Sequence, residues 1–194
     1  LKCGRTLLPG MGKDGLMADD LFVKKKLSDP ETGNDMERGL SRLEKLLYGI
    51  AYTNECTART KDLIVSFGER LAVHLVAGCL RDRDLKSIAL EADKIDLVAT
   101  GDFGYGNADL QETERLLPNN VVDFLERGTI PVVTGFFGRT PEGKTITFGR
   151  GGTDYSAAIL ANVLNCEELQ IWKDVDGFLS ASPENVKQGR PLEY

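Results

Sequence analysis

The densest run of reactive chemistry in the chain is Gly149-Arg150-Gly151-Gly152-Thr153-Asp154. It follows an alternating apolar stretch and opens a helical one. Its glycines permit tight turns and expose backbone N–H groups. A helix N-terminus adds orphan donors and a field that favours anions. Arg150 supplies a planar fork suited to a carboxylate or a phosphate. Thr153 or Asp154 is expected to cap the helix while the other faces a ligand. The competing reading is a tight strand-to-helix turn with a surface arginine. The run is neither the Walker A pattern, which needs a Lys-Ser/Thr pair, nor the dinucleotide fingerprint, whose third glycine is absent.

Two further places carry candidate chemistry. Lys173-Asp174-Val175-Asp176-Gly177 stands directly after an apolar run. Acids two apart at a strand end suit nucleotide hydroxyls or the water shell of a magnesium ion; Asp176-Gly177 is equally well read as a plain turn. Glu69 follows Gly68 inside an apolar helical pattern. A carboxylate there either points into a cleft and binds an ammonium group or lies on a polar surface stripe. Its neighbour Arg70 points to another face, and His74, one turn along, reads as structural or exposed.

These residues need a scaffold, and apolar periodicity supplies its outline. Leu40, Leu43, Leu47 and Ile50 predict an amphipathic helix over residues 37–52, preceded by a loop over residues 27–38 that holds Pro30, Gly33 and Asn34. Leu63, Phe67, Leu71 and Leu75 predict a second helix from near 62 to near 80. Gly68 within it suggests close packing or a ligand against the backbone. Residues 87–90, 97–99, 130–134, 145–148 and 169–172 read as strands, with 145–148 a hairpin candidate. Residues 100–107 read as a glycine-rich loop, 110–125 as a helix interrupted near Pro118, and 155–164 as a helix. Strands alternating with helices predict an α/β fold with a largely parallel sheet covered by helices, ligands lying beyond the carboxyl ends of the strands.

Composition limits the partners. The chain has 194 residues, 41% of them apolar and 28% charged, with a net charge of -6. It is long enough for one large domain with a real core. The negative balance argues against a general nucleic-acid binder but allows a small anionic ligand in a local basic site. Lys24-Lys25-Lys26 reads as a solvated face. Cys3, Cys56, Cys79 and Cys166 include no C-x-x-C pair, and with His74 the only histidine they suggest no zinc site. Cys79 and Cys166 are expected as buried, reduced thiols of a cytoplasmic protein. No stretch is expected to span a bilayer.

Several ordered segments resemble the aspartate kinases of the amino-acid kinase family. They are residues 59–71 (RTKDLIVSFGERL), 100–108 (TGDFGYGNA), 130–138, the run from Gly149 to Ala158, and 168–177 with its IWKDVDG. The good match covers residues 48–186. The resemblance implies a three-layer αβα sandwich of the carbamate kinase-like type, filling residues 1–194 as a catalytic domain, truncated or with missing segments and without a regulatory domain. It implies ATP and Mg²⁺ as cofactors, L-aspartate as partner, a homo-oligomer, and neither nucleic acid nor membrane. Glu69 would take the substrate ammonium group, and Arg150 a substrate carboxylate with Thr153 and Asp154 nearby. Lys173, Asp174 and Gly177 would line the nucleotide pocket. Lys2 and Gly4 would stand in the first-strand motif, where the family has Lys-Phe-Gly-Gly-Thr-Ser and this chain has Lys2-Cys3-Gly4-Arg5-Thr6. Lys2, Arg150 and Asp154 would be the catalytic set. A second departure is Ser182-Pro183-Glu184 in place of the family's Asp-Pro-Arg.

Overall fold

The computed structural model describes residues 29–172. The first helix, α1, spans Pro30–Thr53 and begins well before the sequence reading placed it. Asp29 accepts a hydrogen bond from the Thr32 amide at 3.1 Å, and Pro30 occupies the first helical turn. A proline whose missing N–H costs nothing there, behind an acidic cap, is a start signal rather than a loop signal. The second predicted helix is two: α2, Ala58–Val65, capped by the Thr57 hydroxyl, and α3, Phe67–Arg81, which restarts after Ser66. Gly68 is exposed, and a Cβ there would meet no atom within 4 Å, so it marks no close packing inside the fold.

Ala58–Arg81 taken as one stretch is long enough to cross a bilayer and contains an 18-residue window with a mean hydropathy of 1.6, contrary to expectation. Two of its six charged residues, Asp62 and Arg70, are each 3% exposed and bond to partners in the core. That is the behaviour of helices packed inside a folded domain. Cys79 is exposed on the outer face of α3, and Cys166 is exposed just past the last helix, so neither is a buried thiol.

The strands are β1 (Ser87–Leu90), β2 (Ala99–Asp102), β3 (Tyr105–Ala108), β4 (Ile130–Val133), β5 (Phe137–Arg139) and β6 (Thr145–Thr147). β1 pairs in parallel with β4, Ser87 opposite Ile130, and Val98 forms a parallel bridge to Arg139. β2–β3 and β5–β6 are antiparallel. The fold is α/β, and its strand pairing is mixed rather than largely parallel. The reason is connection length: Phe103-Gly104 alone joins β2 to β3, and so short a link permits only a hairpin. Residues 100–107, expected as a loop, are mostly this hairpin. The other helices are α4 (Leu110–Leu116), α5 (Pro118–Glu126) and α6 (Gly152–Val163). Residues 169–172 form no strand; they are exposed and have no ladder partner among the described residues.

Leu97, Leu117, Val121, Phe137 and Ile146 are fully buried and pack with Ile159 and Val163 of α6. Each such side chain contributes about 1.5–3 kcal/mol by leaving water. This core lies directly beneath β5, β6 and α6, the elements that carry the glycine-rich turn.

Candidate active site

The turn between β6 and α6 is shaped by glycine. Gly149 and Gly151 have φ of 74° and 78°, a region that side chains with a Cβ rarely enter. A Cβ on Gly149 would also stand 3.0 Å from the Gly104 carbonyl oxygen, so the β2–β3 turn presses on it. Gly151 is the N-cap of α6, and no side chain caps the helix there. Gly151, rather than Thr153 or Asp154, is therefore the N-cap residue. The first turn directs its backbone donors and the positive end of its dipole toward the glycine turn.

Arg150 stands exposed on this turn and makes no hydrogen bond or ion pair among the described residues. Thr153 packs against the backbone at Gly135, where an added Cβ would meet its Cγ2 at 2.8 Å. Asp154 is half-buried in the first turn of α6. The structure thus brings Arg150, Thr153 and Asp154 together on one turn, beside the hairpin of residues 100–108.

Glu69 lies in the first turn of α3, half-buried, with no partner among the described residues. Its neighbour Arg70 is committed. Its Nε donates to Ser66 Oγ at 3.0 Å, and its guanidinium bonds to Thr145 Oγ1 and Asp93 Oδ1, each at 3.0 Å, and pairs with Glu91. The guanidinium lies 4.5 Å from the centre of the Phe137 ring. Arg70 thereby ties the helix bearing Glu69 to β6, the strand that leads into the glycine turn. His74 is a structural residue as expected, its Nδ1 3.0 Å from Asp35.

Other site-forming residues escaped the sequence reading. Asp62 on α2 accepts hydrogen bonds from the amides of Gly104 and Thr147 on one oxygen, each at 2.8 Å. Ser156 donates to the Gly152 carbonyl at 2.7 Å and accepts from the Phe136 amide at 2.9 Å. Phe136 has φ 73°, strained for an aromatic residue, and its ring lies against Gly152. Nothing local marked Asp62, which follows Arg59, Thr60 and Lys61 on a polar stretch, or Ser156. The expectations for Lys2, Gly4, Lys173, Asp174 and Gly177, and the departures at Arg5 and Glu184, lie outside the described residues.

The family model for the amino acid kinase family matches residues 15–194. Aspartokinase 1, chloroplastic, of Arabidopsis thaliana is 38% identical over 157 residues, covering 80% of this chain and 27% of that protein. The aspartokinase of Saccharomyces cerevisiae is 34% identical over 184 residues, covering 90% of this chain and 33% of its own. Escherichia coli aspartokinase III, solved in complex with aspartate and ADP, superposes with a TM-score of 0.81 at 27% identity, covering 93% of this chain and 40% of that one. The chain spans about a quarter to a third of the length of these curated relatives. With the fold and the family model in agreement across nearly its whole length, the chain belongs to the amino acid kinase family, and the part of that family it matches is the kinase domain of aspartokinases.

Proposed function

We propose that the chain carries the phosphoryl-transfer site of an aspartate kinase. The reaction moves the γ-phosphoryl group of ATP to the side-chain carboxylate of L-aspartate, giving 4-phospho-L-aspartate and ADP, the first step toward lysine, threonine and methionine. The observation that carries this reading is a pair of uncommitted, opposite charges. Arg150 stands on a turn with no side-chain cap, and Glu69 stands on α3 without a partner. A zwitterionic amino acid needs an anion site and a cation site of this kind, and the likeness to aspartokinases supports aspartate as that amino acid.

The chemistry asks little of a base. An aspartate carboxylate oxygen is already a nucleophile; it attacks the γ-phosphorus as the bond to the bridging oxygen of ADP breaks. The barrier is repulsion between two anions. Arg150, the amides of the α6 N-terminus and Lys2 lower it by offsetting charge, and Arg150 with Glu69 fix the direction of approach. Asp154 acts as a positioner rather than a base. Among the described residues no three His, Cys, Asp or Glu side chains converge to hold a metal ion. Asp174 and Asp176 are the residues that would hold Mg²⁺ beside the triphosphate, where it would supply charge neutralisation.

Hydroxylamine converts an acyl phosphate into a coloured hydroxamate, and that is the test. With Mg-ATP, L-aspartate should give product, while L-glutamate and N-acetyl-L-glutamate should not. Product from either of the latter with none from aspartate assigns the site to another amino-acid kinase activity.

A further inference from the structure

Among the described residues, Asp62 and Arg70 are the buried ionisable groups for which the phosphoryl-transfer chemistry has no direct use, and Asp62 is the one without a counter-charge. It is 3% exposed and is the one buried residue of α2, where Leu63 and Ile64 are half-buried and Val65 is exposed. Among the described residues it has no cation partner; its bonds are the Gly104 and Thr147 amides, both received on Oδ2 at 2.8 Å. Burying a carboxyl group without a counter-charge is costly, and a fold that needed only packing there would use leucine. What the group gains is position. Gly104 is the corner of the β2–β3 hairpin, and Thr147 ends β6 two residues before Gly149. The Gly104 carbonyl is the atom that a Cβ on Gly149 would strike. One oxygen atom therefore sets the spacing between the hairpin and the glycine turn that carries Arg150. The same chain segment continues through Ser66 into α3 and Glu69.

We propose that Asp62 is a positioning residue for aspartate recognition. It clamps the β2–β3 hairpin to the end of β6 and so fixes the attitude of Arg150 relative to the substrate carboxylate. The inference rests on the assignment of an aspartate kinase site. Asp62 touches no substrate in this scheme and acts only through the two amides. Displacing a substrate-orienting group by about 1 Å is enough to change rates or affinities by one to two orders of magnitude.

The experiment compares Asp62→Ala and Asp62→Asn with the parent protein by steady-state kinetics and by amide hydrogen exchange. The asparagine carbonyl can still receive both N–H groups; alanine receives neither. The alanine variant should raise KM for aspartate by about tenfold or more, with KM for ATP within about twofold. The asparagine variant should restore most of the loss. Exchange at Gly104 and Thr147 should quicken in Asp62→Ala, by at least about tenfold more than in α1, and stay near parental in Asp62→Asn. A lower melting temperature and kcat with unchanged KM for aspartate would make Asp62 an ordinary core anchor and overturn the inference. If the parent protein does not turn over aspartate, the functional assignment fails separately. The clamp then stands or falls on exchange alone: selective deprotection of both amides upholds it, and deprotection of neither removes it.

Discussion

Replacing Arg70 with methionine keeps much of the side chain's length and removes its five donors. Two carboxyl groups lose their cation: Asp93, whose side chain is 9% exposed, and Glu91, at 24%. Removing one member of a buried ion pair costs about 3–5 kcal/mol, because the remaining charge stays desolvated. Water reaches Glu91 in part, which places Arg70→Met toward the lower end, about 3–4 kcal/mol. The contact with the Phe137 ring is lost as well, but its roughly 0.5–2 kcal/mol overlaps with the first figure and is not added. At about 2–4 °C per kcal/mol for a chain of this size, the melting temperature should fall by roughly 6–16 °C. Urea unfolding gives the free energy directly. The reasoning also predicts coupling. Asp93→Asn in the Arg70→Met background should cost far less than in the parent, with an interaction energy of about 1–3 kcal/mol. A loss below about 1 kcal/mol for Arg70→Met, or strict additivity in the double variant, would show that the cluster is solvated and that its geometry carries little energy.

Three other predictions follow from the same contacts. The Arg81 hydrogen bond, helped by Thr32, lowers the Asp29 carboxyl from 3.8 to about 2. A depressed carboxyl stabilises the fold above its unfolded value and loses that contribution as pH falls from about 4 to about 2. Asp29→Asn should thus cost about 2 kcal/mol near pH 6 and almost nothing near pH 2, and a gap independent of pH in urea titrations would contradict this. Ser156→Ala leaves the Phe136 amide without an acceptor at a strained φ and should cost about 1–3 kcal/mol; an unchanged unfolding midpoint would show that packing alone holds that turn. Arg150→Lys keeps charge and loses the fork, and Glu69→Gln keeps shape and loses the ammonium partner. Each should weaken aspartate binding by about 1–3 kcal/mol with little effect on ATP. Normal aspartate binding by both would leave the zwitterion clamp without support.

How much of this was legible in the sequence depended on how local the cause was. β1, β4 and the break between α4 and α5 at Pro118 follow from short apolar runs and one proline, and they appear where periodicity put them. The start of α1 was misread because Pro30, Gly33 and Asn34 were counted as breakers, whereas Asp29 and Pro30 act together as a cap. The β2–β3 hairpin was hidden because its residues are mostly exposed polar and glycine positions, with no alternating apolar face to reveal them. The glycine turn was recognisable because its chemistry is contiguous. The contacts that fix it are not contiguous: Asp62 reaches Gly104 and Thr147 across 42 and 85 positions, and Arg70 reaches Thr145 across 75. No spacing rule reports a partner that distant.

The same contacts explain why Glu69 and Arg150, proposed to meet the substrate, have no partner among the described residues. Adjacent helical residues point about 100° apart, so when Arg70 turns into the core toward Asp93 and Thr145, Glu69 must turn away from it. Asp62, one helix earlier, is likewise consumed by two amides. Both buried charges are satisfied within the fold, and neither competes for Glu69 or Arg150. A salt bridge between Glu69 and a resident cation would have to be broken before an ammonium group could enter, at a cost set against every binding event. Keeping the structural charges on faces separate from the charges proposed to meet the substrate avoids that competition. On the proposed assignment, the site's specificity would be prepared by residues that never meet the substrate, and a search confined to the glycine turn would find Arg150 without the contacts of Asp62 and Arg70 that hold its surroundings.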